Sequence, residues 1–142
     1  MKIVTKLKIS ILILALFLVI SCIKYKEVDL EYDELKELPN DRLTKLELVS
    51  YVNMDTVNSQ IFETSFKMKN VGTKTMKNIF IKGNCGCTTI ADYKNVLRPN
   101  EEQNIQITID LEKEKGNFLK EVFLYGTFYP YQRKIQIVGY KK

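Results

Sequence analysis

The chain has 142 residues, with 22 Lys and Arg against 17 Asp and Glu, and it contains neither His nor Trp. Without His there is no Ser-His-Asp or Cys-His nucleophilic site, no HExxH zinc site and no Cys2His2 finger. GxGxxG, Walker and GxSxG loops are missing as well, so the expectation is a non-enzymatic protein without a cofactor.

The first element is a targeting segment. Met1–Lys8 carries Lys2, Lys6 and Lys8, and Ile9–Ile20 is apolar at every position except Ser10. As a helix this 12-residue run would reach only about 18 Å, whereas a membrane span needs about 20 residues. Lys24 and Lys26 prevent its extension. A basic start, an apolar run and a small residue make a secretory signal. Val19-Ile20-Ser21-Cys22 resembles the lipobox of bacterial lipoproteins. The resemblance implies a signal peptide over residues 1–21, cleaved before Cys22, and acylation of Cys22 by palmitate-like chains. Each buried methylene contributes about 0.8 kcal/mol, so two or three chains attach a protein to the membrane permanently. The expected location is the bacterial cell envelope, facing the periplasm or on the outer membrane. Ile23, not Asp, follows Cys22.

The formal charge of +5 includes the three signal lysines, so only +2 remains without them. That balance does not call for a nucleic-acid partner. Residues 22–43 read as an acidic tether: Glu27–Glu37 is rich in carboxylates, and Pro39 stops any helical turn built on Leu35 and Leu38. Its expected task is to hold the following domain away from the bilayer.

From Thr44 the pattern has period two. Leu46, Leu48, Ser50 and Val52 share one face, and Phe62, Thr64, Phe66 and Met68 share another. Asn70-Val71-Gly72 is a turn signal. Ile79 and Ile81 follow, then Ile105, Ile107 and Ile109, then Phe118, Val122 and Leu124, then Ile135 and Ile137. Six or seven short strands without a helical period predict an all-β fold, an immunoglobulin-like antiparallel β-sandwich over residues 44–142. These apolar faces are the predicted core.

Several motifs go beyond strand patterning. Asn70-Val71-Gly72, Cys85-Gly86-Cys87-Thr88, Leu97-Arg98-Pro99-Asn100-Glu101, Gly116-Asn117-Phe118 with Lys120, and Gly139 occur in that order. Together they resemble the bacterial domain-of-unknown-function family numbered 1573, over about residues 46–140. The resemblance implies an immunoglobulin-like module on a secreted protein or lipoprotein and no defined biochemical activity. Asn84 stands where the family commonly has Ser, and the Phe-Gly often found before the first long strand is missing around Asn53–Thr56.

Cys85 and Cys87 admit three readings. In an extended strand their Cα atoms would lie about 6.5–7 Å apart, the upper edge of disulfide geometry, and a kink at Gly86 would close the gap. Such a bridge suits a redox exchanger. Two thiolates also suit Cu(I) or zinc, with Met54, Met68 and Met76 as further sulfur donors; four-coordinate zinc needs more ligands than these cysteines supply. The third reading is two small side chains packed at a strand end.

Tyr125, Phe128, Tyr129 and Tyr131 cluster around Gly126 and Pro130. They are expected at a hairpin tip, as a partner-binding patch or as a cap on the core. Glu101 and Glu102 are adjacent turn carboxylates rather than a catalytic pair across a cleft. The favoured function is a membrane-held module that binds another envelope protein. The alternative is a thiol redox or soft-metal-handling protein that uses Cys85 and Cys87.

Overall fold

The computed structural model describes residues 34–142. The expected signal peptide (residues 1–21), the expected acylation site Cys22 and most of the expected tether therefore lie outside the described residues. The chain divides into two units, Met1–Glu37 and Leu38–Lys142; all the described strands belong to the second.

A single 3-10 turn, Asn40–Arg42, precedes nine strands: β1 (Thr44–Leu48), β2 (Tyr51–Val57), β3 (Ile61–Asn70), β4 (Phe80–Gly83), β5 (Thr88–Ile90), β6 (Glu102–Asp110), β7 (Gly116–Tyr125), β8 (Phe128–Tyr129) and β9 (Gln132–Lys141). They form two sheets. One has the order β5-β6-β3-β1-β8, the other β2-β9-β7-β4. The immunoglobulin-like sandwich expected from the alternation is present.

Each sheet is built on one long antiparallel pair. β3 and β6 run from Ile61 opposite Asp110 to Lys69 opposite Glu102. β7 and β9 run from Gly116 opposite Lys141 to Tyr125 opposite Gln132. Alternation along these strands turns Phe66, Met68, Ile105, Ile107 and Ile109 inward from the first sheet, and Phe118, Val122, Leu124, Ile135 and Ile137 from the second. All ten belong to one core cluster with Ile79 and Ile81, and Phe62 packs half-buried against it. Full burial of such a side chain is worth about 1.5–3 kcal/mol.

Two features depart from simple alternation. The run from Thr44 to Val57 is not one strand. It breaks at the exposed pair Val49-Ser50, so Leu46 and Leu48 lie in one sheet and Val52 in the other. Each strand turns alternate residues toward the core, so period two persists across the break and conceals it. β2 then pairs parallel with β9, through a bulge between Asn53 and Thr56. Asp55 takes a positive φ of 48° there, and Asn53 Oδ1 accepts its backbone N–H at 3.0 Å.

The second departure is the chain between β7 and β9. It is not a projecting hairpin tip. β8 leaves the β7–β9 sheet and pairs parallel with β1, Thr44 opposite Phe128 and Lys45 opposite Tyr129. The Phe128 ring turns fully inward. Gly126 makes this possible, since a Cβ there would sit 2.8 Å from a Phe128 ring carbon.

Candidate functional site

β4 and β5 are edge strands of opposite sheets, and the turn Asn84–Cys87 carries the chain from one to the other. The Cys-Gly-Cys motif is therefore at a sheet margin. Cys85 and Cys87 form a disulfide with Cα atoms 5.2 Å apart. The turn has shortened the separation an extended strand would give, into the ordinary bridging range.

The turn has backbone bonds of its own. Thr88 N–H donates to Cys85 O at 3.3 Å, and Asp110 N–H donates to Cys87 O at 2.8 Å. Asn84 N–H donates to Glu121 O at 2.9 Å. Both cysteines are half-buried and Gly86 is exposed. Beyond its two cysteine neighbours, a Cβ at Gly86 would meet nothing within 4 Å.

Thr88 is the neighbour that matters chemically. Its Oγ1 lies 3.5 Å from Cys85 Sγ and 3.9 Å from Cys87 Sγ. Pairing with Ile109 fixes its backbone. Its side chain packs so closely over Gly83 that a Cβ on Gly83 would lie 2.6 Å from Thr88 Cβ. One hydroxyl thus faces both sulfurs. Thr88 was visible as the fourth letter of the motif, but its contact with the bridge depends on the turn.

The methionines considered as metal donors belong to the core or pack against it. Met68 and Met76 are wholly buried in the core cluster, and Met54 packs against it half-buried. Among the described residues no group of three or more His, Cys, Asp or Glu side chains is placed to hold a metal ion.

The four tip aromatics do not form one patch. Phe128 is core. Tyr125 ends β7 opposite Phe80, with ring centroids 6.2 Å apart, and Lys82 Nζ lies 5.6 Å from the Tyr125 ring centre. Burial pushes the Tyr125 hydroxyl above its ordinary value, and Tyr131 adds to the shift. Tyr129 is exposed and Tyr131 half-buried. The physical reason is the β8 detour, which carries Phe128 inward and leaves Tyr129 outside.

Glu101 and Glu102 diverge, Glu101 in the turn and Glu102 as the first residue of β6. Glu101 binds Lys94 Nζ at 2.6 Å and Glu102 binds Lys67 Nζ at 2.8 Å. A shallow depression of about 660 Å³ lies beside them, lined by Val96, Arg98, Pro99, Asn100 and Glu101. All five residues come from one loop, which leaves the depression open on its outer side.

The outer face of the β2-β9-β7-β4 sheet is less polar than a solvated face usually is. Phe80, Leu119, Tyr140 and Tyr51 are exposed there, with Phe123 and Val138 half-buried between them. Glu121 crosses this face, paired with Lys134 at 2.9 Å and accepting from Gln136 at 3.3 Å. The Lys134 bond and then the Gln136 bond hold its carboxyl below the usual range.

No curated protein sequence matches the chain. A Porphyromonas gingivalis W83 protein of unknown function is similar in structure, with a TM-score of 0.63 and 14% identity, over 74% of this chain and 50% of the other. This chain thus spans half the length of that protein. The ASH/PapD-like domain 7 of human CEP192 is similar with a TM-score of 0.58 and 13% identity, over 75% of this chain and 91% of that domain. The Vibrio cholerae VesB protease contains a similar region, with a TM-score of 0.55 and 10% identity, over 69% of this chain and 32% of the protease. At these identities the likeness is one of fold. Residues 49–140 match the model of the protein family of unknown function DUF1573, and the chain belongs to that family.

Proposed function

We propose that the protein is a non-enzymatic module of the bacterial cell envelope, held to the membrane by acyl chains on Cys22, that binds another envelope protein. The anchor reading rests on the lipobox-like sequence ending at Cys22 and on the short apolar run before it. Among the described residues no helix is long and apolar enough to cross a membrane.

The observation that carries the binding reading is the outer face of the β2-β9-β7-β4 sheet. Leu119 is 50% exposed, Tyr140 47% and Phe80 45%. Clustered apolar side chains rimmed by polar ones mark protein–protein contact surfaces more often than solvated sheet faces. The Glu121–Lys134 pair crossing the cluster supplies the polar contacts that fix orientation.

Two measurements test the proposal. Cys22→Ala is expected to move the protein from the membrane fraction to the soluble fraction of cells. Crosslinking in intact cells is expected to recover one protein partner with wild type and to lose it with the double variant Leu119→Glu, Tyr140→Glu. Membrane association unchanged by Cys22→Ala would overturn the anchor. Recovery of the same partner by the double variant would overturn the binding face.

A further inference from the structure

We propose that the Cys85–Cys87 bridge is an exchangeable disulfide, opened and closed by a protein dithiol, with Thr88 as the residue that stabilises the released thiolate. Three observations carry it, independently of the binding face.

The first is the span of the bridge. It joins residues two apart in one turn and ties no strand to another. A cross-link stabilises chiefly by closing a long loop in the unfolded chain, and this loop contains only Gly86. The turn is already fixed by the Thr88-to-Cys85 and Asp110-to-Cys87 backbone bonds. The two sheets are closed by the core, not by the sulfurs. Opening the bridge therefore leaves the fold in place, as reversible exchange requires.

The second is access. The turn sits where two edge strands meet, Gly86 is exposed, both cysteines are only half-buried, and beyond the two cysteines nothing lies within 4 Å of a Cβ built on Gly86. An attacking thiolate must reach one sulfur along the S–S axis, and the bridge has no bulky side chain between its cysteines to obstruct a partner.

The third is Thr88. Its hydroxyl lies 3.5 Å from one sulfur and 3.9 Å from the other. When the S–S bond breaks, one sulfur leaves as a thiolate, and a hydroxyl within reach donates to it. Hydrogen bonds to an anion are about twice as strong as neutral ones, so the contact favours the opened state more than the closed one.

The electron balance is that of two successive displacements. A thiolate of the partner dithiol attacks Sγ of one cysteine. A mixed disulfide forms, the Cys85–Cys87 bond breaks, and its electron pair leaves on the other sulfur beside Thr88. The partner's second thiolate then attacks its own sulfur in the mixed disulfide, closes the partner's disulfide and releases the second cysteine. Two electrons and two protons pass from the partner dithiol to Cys85 and Cys87. The reverse sequence oxidises them.

The test uses the full chain in detergent with Cys22→Ala, so that Cys85 and Cys87 are its only cysteines. The protein is equilibrated across reduced and oxidised glutathione mixtures and quenched by acid. Its thiols are counted by alkylation and mass, with circular dichroism recorded in parallel. The bridge is expected to open and re-form without denaturant and without loss of the β signal. In the reduced protein, the alkylation rate against pH is expected to shift to higher pH in Thr88→Val, with about tenfold slower reaction at neutral pH, and to be restored in Thr88→Ser. Thr88→Ala serves in place of Thr88→Val if that variant does not fold. A bridge that opens only in denaturant, or whose reduction unfolds the domain, overturns the proposal. Superimposable pH profiles for wild type and Thr88→Val overturn the role of Thr88.

Discussion

Thr44 donates its hydroxyl to Asn70 Oδ1 at 2.8 Å, and both residues are buried. The contact joins the first residue of β1 to the last residue of β3. The rest of the Asn70 amide is also engaged. Its Nδ2 donates to Lys74 O at 2.8 Å and to Leu97 O at 2.9 Å, and Oδ1 also accepts from Gly72 N–H at 3.2 Å. A segment that reads as a turn signal is thus a buried polar hub that ties three chain segments together.

Because every polar atom of that amide has a partner, its removal is expected to be costly. Asn70→Asp replaces a donor with an oxygen facing two carbonyls, and a stability loss of about 2–4 kcal/mol is expected from unsatisfied and opposed groups. Thr44→Val leaves Asn70 with its other bonds and should cost about 1 kcal/mol. Urea unfolding of the two variants measures the difference.

The β8 detour separates neighbouring aromatics by role. Phe128→Ala removes a wholly buried ring and is expected to cost about 3–5 kcal/mol. Tyr129→Ala, one residue on and exposed, should change stability by less than about 0.5 kcal/mol. Equal losses from the two would contradict the inward turn of Phe128.

Lys120 occupies an inward-facing position between Phe118 and Val122, and its ammonium pairs with Glu114 in the turn before β7. Removing only the carboxylate leaves an amine buried without its counter-charge, so Glu114→Gln is expected to destabilise by about 1–2 kcal/mol. Lys120→Met removes the charge and keeps the length, and should be close to neutral or stabilising. Thermal unfolding of both variants at neutral pH checks the asymmetry.

Acid sensitivity follows from three carboxylates. Lys94 beside Glu101, Lys67 beside Glu102 and Lys134 beside Glu121 hold each below its ordinary value of 4.5. A folded value below the unfolded one means a contribution present above pH 4.5 and lost as pH falls through the folded value. Urea midpoints are therefore expected to hold steady between pH 7 and 5 and to fall below about 4.5. The combined Glu101→Gln, Glu102→Gln, Glu121→Gln variant should flatten that fall.

Much of the core was legible because strands have period two. Ile105, Ile107 and Ile109 or Ile135 and Ile137 can be inward only together. Met76, Leu97 and Leu111 were not legible. They lie outside long alternating runs, yet Met76 and Leu97 bridge each other's backbones across two loops and all three are fully buried. Lys120 was recognised as part of a motif, but only the alternation of β7 around it places a lysine on the inner face.

By itself the sequence determined the strand periodicity, the absence of His and Trp, and the order of motifs that marks the family, because these depend only on residue type and spacing. The tertiary structure decided which strand joins which sheet, since the break at Val49-Ser50 and the β8 detour are invisible to period two. It also brought Thr88 against both sulfurs of the Cys85–Cys87 bridge and drew Thr44 and Asn70, 26 residues apart, into one hydrogen bond. Contacts across a turn or between sheets are fixed by backbone path, and that path is set by the packing of the whole core.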